Sequence, residues 1–374
     1  MARRVLVFAE YGVRNGAENS WLAIARVLKR RDWEFVVATP DETEFADAVS
    51  AEFETVSLSL HEPSGTRKSQ QEIRLEISHT ITSVAPNLVH CNSLSTSRLC
   101  GPVTKELGIP AAGHLRDILK LSKQAVTDIN CLDRIIAVSN ATRDFHIAQG
   151  MDAQKTKTIY NGVDLNRFRS GLPTTSFKSE MELPNDARLV CCIGQIGMRK
   201  ATDVVIRCFH TLHERSDDNL FLAIVGQRNS QKQEAIEYEQ HCHDLVQEFG
   251  QTDRIFFSGR RNDVASLLNE SDLLLHAARQ EPLGRVLLEA AACGCPFVAT
   301  DVGGTGEITA GLESLGLLCP VDEPNTMAVQ ALRLLNEKAS YNEVSHKLRE
   351  QAVRRFDALN AATATERLYC ELVS

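Results

Sequence analysis

The sequence lacks any long apolar run. Nowhere in its 374 residues do about 18 apolar residues follow one another, so no membrane-spanning helix is expected. The apolar stretch Val5–Ala9 is too short for the core of a signal peptide, and Glu10 follows it directly. We therefore predict that this stretch is a first β-strand and that the protein is cytoplasmic.

An excess of positive charge is also missing. Lys and Arg total 41 against 49 Asp and Glu, which gives a formal net charge of −8. Nucleic acid is therefore not expected as the main partner. One basic cluster, Arg26 with Lys29–Arg31, stands at the end of a predicted helix, where cations are favourable. A second interpretation of this cluster is peripheral contact with an anionic inner membrane leaflet.

The eleven cysteines do not form a zinc-binding pattern. His241–His243 and Cys293–Cys295 place ligand-type side chains close together, but neither has a second ligand pair at a zinc-like spacing. Most of the cysteines lie inside apolar runs, which is typical of buried, reduced thiols in a cytoplasmic protein. No metal site is predicted.

The composition is that of a globular protein, with 43% hydrophobic and 24% charged residues. Short apolar runs alternate with helical periodicity. In the first half the predicted strands are Val5–Ala9, Phe35–Ala38, Leu88–His90, Ile109–Ala112 and Ile135–Val138. After a polar segment interpreted as a linker, Arg169–Asp186, the predicted strands are Leu189–Ile193, Leu220–Val225, Arg254–Phe257, Leu273–Leu275, Pro296–Ala299 and Leu317–Cys319.

This alternation predicts parallel sheets covered by helices on both faces. We predict an α/β fold of two Rossmann-like, doubly wound domains, residues 1–168 and 169–350, that face a cleft. Residues 326–374 are predicted to be helical, with a break near Phe356. Ligands of such sheets bind beyond the C-terminal ends of the strands, so the loops there are the candidates for a site.

One such loop combines a helix start with two carboxylates. Gly284 is predicted to open a helix, with Glu281 in the loop before it and Glu289 within its second turn. A helix N-terminus suits a diphosphate, and carboxylates accept hydrogen bonds from sugar hydroxyls. The residues alone leave a second interpretation open, in which Glu281 merely favours the helix start and Glu289 is solvated.

The segment 281–296, Glu-Pro-Leu-Gly-Arg-Val-Leu-Leu-Glu-Ala-Ala-Ala-Cys-Gly-Cys-Pro, resembles the donor-site motif of retaining GT-B glycosyltransferases of the GT4 class. Other segments resemble the same family in the family's order: Asn15–Glu18, Pro86–His90, Ile135–Ser139, Ile159–Asp164, Gly194–Lys200 and Gly303–Ile308. The resemblance covers nearly the whole chain. It implies the GT-B fold, with a C-terminal helix in residues 351–374 that crosses back to the first domain.

The resemblance also implies roles for individual residues. Glu281 would bind donor-sugar hydroxyls and position the anomeric centre, Glu289 would hold the ribose hydroxyls, and Lys200 would neutralise the diphosphate leaving group. His114, just after the predicted strand Ile109–Ala112, would point at the donor or acceptor hydroxyl near the anomeric carbon, and its alternative is an ordinary histidine at the start of a loop. Arg116 and Asp117 are weaker candidates. The remaining donor-binding positions are the helix start at Gly16, the N–H groups of Leu283, Gly284, Arg285 and Val286, and Arg260 near the base.

The sequence departs from the family's pattern in the Gly194 loop. Gln195 occupies the position of a phosphate-binding Arg, and a neutral amide cannot supply the bidentate, charged contact of a guanidinium. Ala201 stands where Gly often follows the Lys. Arg199 is a candidate for replacing the missing charge, and its alternative is a solvated side chain at a helix start.

By this resemblance, the expected reaction moves a hexosyl-type sugar from a nucleoside diphosphate sugar to an acceptor hydroxyl with retention and without a metal or other cofactor. A UDP-sugar is favoured and a GDP-sugar comes second, and the acceptor is a glycan, a glycolipid or a small molecule. Two alternatives are a sugar-nucleotide epimerase of the same fold and a non-catalytic nucleotide-sugar-binding subunit, the latter suggested by Gln195.

Overall fold

The computed structural model describes residues 3–62 and 64–374. They form two compact units. The first contains the chain as far as Gly162 together with Asp357–Ser374, and the second contains Val163–Phe356. Each unit is built on one parallel β-sheet whose strands are connected by helices, which confirms the predicted α/β class.

The first unit has a seven-stranded sheet. Its strands are β1 (Arg3–Phe8), β2 (Trp33–Thr39), β3 (Glu54–Ser57), β4 (Leu88–Cys91), β5 (Ala111–Leu115), β6 (Arg134–Ala137) and β7 (Thr156–Thr158). The connecting helices are α1 (Gly16–Lys29), α2 (Glu44–Ser50), α3 (Gln70–Val84), α4 (Leu94–Leu107), α5 (Lys123–Ile129) and α6 (Asn140–Ala148). The order β3-β2-β1-β4-β5-β6-β7 reverses direction between β1 and β4, and that reversal is where such sheets open a crevice for ligands.

The second unit has a six-stranded sheet. Its strands are β8 (Arg188–Ile193), β9 (Leu220–Val225), β10 (Ile255–Phe257), β11 (Leu273–His276), β12 (Phe297–Thr300) and β13 (Leu318–Cys319). The helices are α7 (Phe177–Glu180), α8 (Thr202–Arg215), α9 (Gln233–Glu248), α10 (Val264–Glu270), α11 (Arg285–Cys293), α12 (Thr305–Ile308), α13 (Pro324–Asn336) and α14 (Lys338–Arg355), with a 3₁₀ turn at Glu313–Leu315. The order β10-β9-β8-β11-β12-β13 reverses between β8 and β11.

The last helix, α15 (Ala358–Val373), returns to the first unit and packs against α1. Tyr369 of α15 lies in the same apolar core as Trp21 and Trp33, with its ring centroid 5.3 Å from that of Trp33. Burying a large apolar side chain of this kind contributes about 1.5–3 kcal/mol. The C-terminal helix that the family resemblance implied is therefore part of the first core.

Three local predictions were wrong. Strand β5 begins after Pro110 and runs to Leu115, so His114 lies inside a buried strand and not in the loop after it. The C-terminal helical run has a further interruption at Glu337, whose φ of −103° and ψ of 89° separate α13 from α14. The segment 169–186 is also more than a linker, because it contains α7 and its backbone binds the side chains of Asn269 and Glu270 in α10.

Candidate functional site

Lys200 and Glu281 meet at the point where the second sheet reverses direction. Lys200 ends the loop after β8, and Glu281 lies in the loop after the neighbouring strand β11. The ammonium of Lys200 donates a hydrogen bond to Oε2 of Glu281. His276, the last residue of β11, places Nε2 2.9 Å from the same oxygen. Glu281 and His276 are both buried, so the three side chains form one enclosed polar cluster.

The charge state of this cluster follows from its contacts. Burial acts to raise the pKa of Glu281, but the Lys200 charge and the His276 hydrogen bond outweigh it and hold that pKa well below its usual value. Burial lowers the pKa of His276, although its hydrogen bond to Glu281 opposes the shift. At neutral pH the cluster is therefore a carboxylate that accepts hydrogen bonds from an ammonium and from a neutral imidazole.

Gly284 turns the chain from Glu281 into α11. Its φ is +96°, and a Cβ built there would lie 2.9 Å from Cδ1 of Leu287, so any larger residue would be strained. The turn places residues 283–286 at the opening of α11, where a helix has backbone N–H groups without intrahelical acceptors. The predicted helix start is confirmed, and Glu281 stands directly before it.

Glu289 is buried on α11 rather than solvated, with 9% of its surface exposed. Its Oε1 accepts a hydrogen bond from Nε of Arg285 at 2.8 Å. Because Glu289 lies one helical turn after Arg285, this pair fixes the carboxylate on the helix face that follows Gly284. The interpretation in which Glu289 is a solvated residue is therefore wrong.

Arg279 ties the loop after β8 to the loop after β11. Its Nη1 donates to the carbonyl of Met198 at 2.8 Å, and its other side-chain nitrogens contact Asp203 at 3.0 Å and Asp322 at 2.7 Å. Its backbone N–H also donates to the carbonyl of Arg199 at 2.9 Å. These bonds hold the Lys200 loop in place, so Arg279 supports the cluster without belonging to it.

Arg199 and Gln195 lie in the same loop as Lys200 but have weaker contacts. Arg199 is exposed, with Nη1 3.5 Å from the carbonyl of Gln280. The side chain of Gln195 makes no hydrogen bond with any residue in 3–62 or 64–374. Within the described part of the chain, neither side chain is therefore held by a strong bond to another residue.

Ala201 explains why glycine is common at its position. Its φ of 51° and ψ of 50° are left-handed, and it caps the start of α8. This conformation costs a non-glycine residue roughly 1–2 kcal/mol. The departure from the family pattern is therefore accommodated as local strain beside Lys200, with the backbone turn preserved.

Arg260 lies apart from the cluster, in the loop after β10. The loops after β8, β9 and β10 run side by side, since the N–H of Gly226 donates to the carbonyl of Gly259 at 2.8 Å. A Cβ at Gly226 would lie 1.8 Å from the carbonyl oxygen of Gly194, so only glycine permits this approach. Arg260 is exposed, and its neighbour Arg261 forms ion pairs with Glu180 and Asp263 at 2.8 Å.

In the first unit, His114 lies in β5 and Gly16 opens α1. Nδ1 of His114 lies 3.1 Å from Nη2 of Arg116 and 3.1 Å from Nε2 of His90. Glu18, which closes the N-terminal turn of α1 by accepting from the N–H of Asn15 at 3.2 Å, is buried and experiences the charge of Arg116. Glu18 of α1 therefore interacts electrostatically with Arg116, which follows β5, whereas Asp117 is exposed.

Several residues of these clusters were not predicted from the sequence. His276 and Arg279 stand on either side of two alanines, directly after the apolar part of β11. The available signal was that a His and an Arg follow an apolar run just before Glu281. His90 ends a predicted strand and was quoted only as part of a family segment. Tyr369 had no sequence signal beyond a helical periodicity, because its partner His90 is distant in the chain.

The other candidate features have ordinary contacts. In the basic cluster, Arg26 pairs with Glu52 at 2.5 Å and Arg31 pairs with Glu366 at 2.5 Å, so intramolecular partners account for much of its charge. All eleven cysteines are free thiols. Within residues 3–62 and 64–374, no group of three His, Cys, Asp or Glu side chains is arranged to hold a metal ion. No helix in the described part of the chain has the length and apolarity to span a membrane.

Comparison with known proteins identifies the family and the fold. Residues 174–355 match the family model of glycosyl transferases group 1, and residues 14–167 match that of Glycosyltransferase Family 4. The structure of HepE from Anabaena in complex with UDP and glucose superposes with a TM-score of 0.85 at 21% identity, over 99% of this chain and 100% of that one. The two sheets and their switch points thus define a GT-B fold. The chain belongs to the GT4 class of glycosyltransferases.

Two curated glycosyltransferase-type relatives are also similar in sequence to this chain. The N-acetyl-alpha-D-glucosaminyl L-malate synthase of Bacillus anthracis is 28% identical over 219 residues, which are 58% of this chain and 54% of that protein. The lipopolysaccharide core biosynthesis mannosyltransferase LpsB of Rhizobium meliloti is 30% identical over 211 residues, 56% of this chain and 57% of that protein. The chain thus spans little more than half the length of these relatives.

Proposed function

We propose that the protein is a retaining glycosyltransferase that moves a hexosyl-type sugar from a nucleoside diphosphate sugar to an acceptor hydroxyl, without a metal ion. The observation that carries this proposal is the Lys200–Glu281–His276 cluster before the opening of α11. It combines a fixed carboxylate, a cation and the first turn of a helix within one pair of adjacent loops.

Each part of the cluster suits one part of such a donor. Oε2 of Glu281 is occupied by Lys200 and His276, whereas Oε1 accepts no hydrogen bond from residues 3–62 or 64–374. A sugar hydroxyl would donate to Oε1, and the Lys200 ammonium with the N–H groups opening α11 would bind the diphosphate. Glu289, held by Arg285, would accept from the ribose hydroxyls.

The same groups would lower the barrier for loss of the diphosphate. Negative charge develops on the bridging oxygen as the bond to the anomeric carbon breaks, and fixed positive charge nearby stabilises it. Lys200 and the opening of α11 supply that charge in this proposal, so a metal ion is not required. UDP is favoured as the nucleotide, because the HepE structure, which shares this fold, is a complex with UDP.

Donor binding is tested by titrating UDP, GDP and UDP-glucose into the protein in a calorimeter. We expect UDP and UDP-glucose to bind, Lys200→Ala to weaken both, and Glu281→Gln to weaken UDP-glucose more than UDP. The matched control is Glu343→Gln, an exposed carboxylate on α14. Absence of binding by all three compounds, or equal binding by Lys200→Ala, would contradict the proposed donor site.

Activity separates the proposal from its alternatives. An epimerase would convert UDP-glucose to another UDP-sugar without releasing UDP, and a binding subunit would leave the donor intact. A transferase releases UDP when a suitable acceptor hydroxyl is present and slowly when water takes its place. UDP release that Glu281→Gln abolishes would support the transferase, and formation of a second UDP-sugar would overturn it.

A further inference from the structure

A continuous row of buried polar groups connects α15 to His114. The hydroxyl of Tyr369 lies 2.8 Å from Nδ1 of His90, and Nε2 of His90 lies 3.1 Å from Nδ1 of His114. The row ends at Arg116, whose Nη2 lies 3.1 Å from the same nitrogen of His114. Tyr369, His90 and His114 are each at most 2% exposed, so the row satisfies these groups inside the core of the first unit.

The direction of every hydrogen bond in the row is fixed by Arg116. A guanidinium has only donors, so Nδ1 of His114 must carry a lone pair. Nε2 of His90 faces that lone pair and therefore carries a hydrogen. Nδ1 of His90 is then an acceptor, and the Tyr369 hydroxyl donates to it. The other ring nitrogen of His114, Nε2, consequently carries the hydrogen.

Both imidazoles are held neutral. Burial and the Arg116 charge lower the pKa of His90 to about 3, and burial, Arg116 and His90 hold the pKa of His114 well below its usual value. Arg116 is itself fixed, because it donates to the carbonyl and side-chain oxygens of Asn92 at 2.8 Å and to Oδ1 of Asn161 at 3.0 Å. The charge that sets the tautomer therefore cannot easily move away.

We propose that Tyr369, His90 and Arg116 are positioning residues that fix His114 as its Nε2–H tautomer, so that His114 donates a hydrogen bond to a substrate hydroxyl oxygen and is not a general base. The inference rests on the proposed function, which supplies a substrate with sugar hydroxyls. Nε2 of His114 makes no hydrogen bond with residues 3–62 or 64–374, so its N–H is left for such a partner. A base would need a lone pair at this nitrogen, and the row places that lone pair on Nδ1.

The tautomer can be read without substrate. In protein labelled with ¹⁵N-histidine, two-bond ¹H–¹⁵N spectra distinguish the two neutral tautomers and the imidazolium. The signals of His114 are identified as those that disappear in the His114→Gln variant. We expect the Nε2–H pattern for both His114 and His90 from about pH 6 to about pH 8. An Nδ1–H pattern or an imidazolium for His114 at neutral pH would overturn the proposal.

The role of the row is tested with Tyr369→Phe, which removes only a hydroxyl. We expect the Nδ1 signal of His90 to shift because its hydrogen-bond donor is gone, the His114 signals to shift with it, and kcat for UDP release from UDP-glucose to fall several-fold with little change in KM. Tyr341→Phe, on α14 in the second unit, should leave all three unchanged. Unaltered histidine signals, or shifted signals with unaltered kcat, would each overturn the positioning role. If the wild type releases no UDP, the proposed function fails, and the spectra still decide the tautomer.

Discussion

His276 Nε2 lies 2.9 Å from Oε2 of Glu281, and Lys200 donates to that same oxygen. Two donors, one in the loop after β8 and one at the end of β11, therefore converge on one carboxylate oxygen and leave the other for a ligand. Because His276 is neutral, it orients the carboxylate without adding a second charge to the Lys200–Glu281 ion pair. The geometry of the candidate site therefore depends on His276 as well as on Lys200 and Glu281.

Replacing His276 with Asn should impair the transferase while Glu281 and Lys200 remain in place. The shorter amide cannot reach Oε2 of Glu281, and a hydrogen bond to a charged group is worth about 1.5–3 kcal/mol. We expect kcat/KM for UDP release to fall by about one to two orders of magnitude. His346→Asn, at an exposed position on α14, is the matched control. Equal activity of the two variants would show that His276 does not orient Glu281.

Restoring the family's arginine should strengthen nucleotide binding. Gln195 has no side-chain hydrogen bond to residues 3–62 or 64–374 that it would lose, and an arginine there can contact phosphate in a bidentate manner. We expect Gln195→Arg to lower the Kd for UDP by about tenfold, as measured by calorimetry. Gln247→Arg, on the exposed face of α9, adds the same charge elsewhere. A similar gain in both variants would mean that net charge alone, and not the position of residue 195, changes the affinity.

Arg199 is tested by removing its charge. If Arg199 supplies the phosphate contact that Gln195 cannot, Arg199→Ala should raise the Kd for UDP several-fold. Combining it with Gln195→Arg should recover the affinity, because one guanidinium then replaces the other. Unchanged binding by Arg199→Ala would leave Arg199 as a solvated side chain.

The stability of the first unit should fall as the pH drops below 6.5. His90 and His114 have folded-state pKa values below 6.5. Below pH 6.5 these imidazoles therefore bind protons in the unfolded chain but remain neutral in the folded chain, which favours unfolding. Well below pH 6.5 each imidazole removes about 1.4 kcal/mol of unfolding free energy per pH unit. The two tryptophans of the chain, Trp21 and Trp33, lie in this unit's core, so their fluorescence reports its denaturant unfolding.

A matched variant isolates the histidine contribution to this slope. In His90→Gln one of the three histidines of this unit with a lowered pKa, His90, His114 and His146, is removed, so the loss of unfolding free energy below pH 6.5 should be less steep than in the wild type. A stability that stays constant through this range in the wild type would contradict the burial of neutral imidazoles.

Much of the fold could be predicted because apolar runs carry the strand signal. The run at Leu220–Val225 matches β9 at both ends. The strands β3 and β7 were not predicted, since Glu54–Ser57 and Thr156–Thr158 are short and polar and are strands only because a neighbour pairs with them. Similarly, the predicted strand ended at Ala112, whereas β5 continues to Leu115 because His90 and Arg116 satisfy the imidazole of His114 inside the sheet.

Part of the candidate site could be predicted from sequence motifs, and the residues that support it could not. Lys200, Glu281 and Gly284 lie in motifs whose order along the chain is informative, and the structure joins Lys200 to Glu281 directly. The supporting contacts are different. Nothing in the sequence pairs Tyr369 with His90, because that contact exists only once α15 has returned to the first unit. Such positioning residues follow from tertiary structure and not from local pattern.

The central claim is tested most directly by the anomeric configuration of the released sugar. UDP-glucose, an α-linked donor, is incubated with the protein and followed by ¹H NMR before the free sugar mutarotates. The account predicts that α-glucose and UDP appear together, that excess EDTA leaves the rate unchanged, and that Glu281→Gln releases neither product. Initial release of β-glucose would contradict retention, and release that is equally fast in Glu281→Gln would contradict the assignment of the donor site to Glu281.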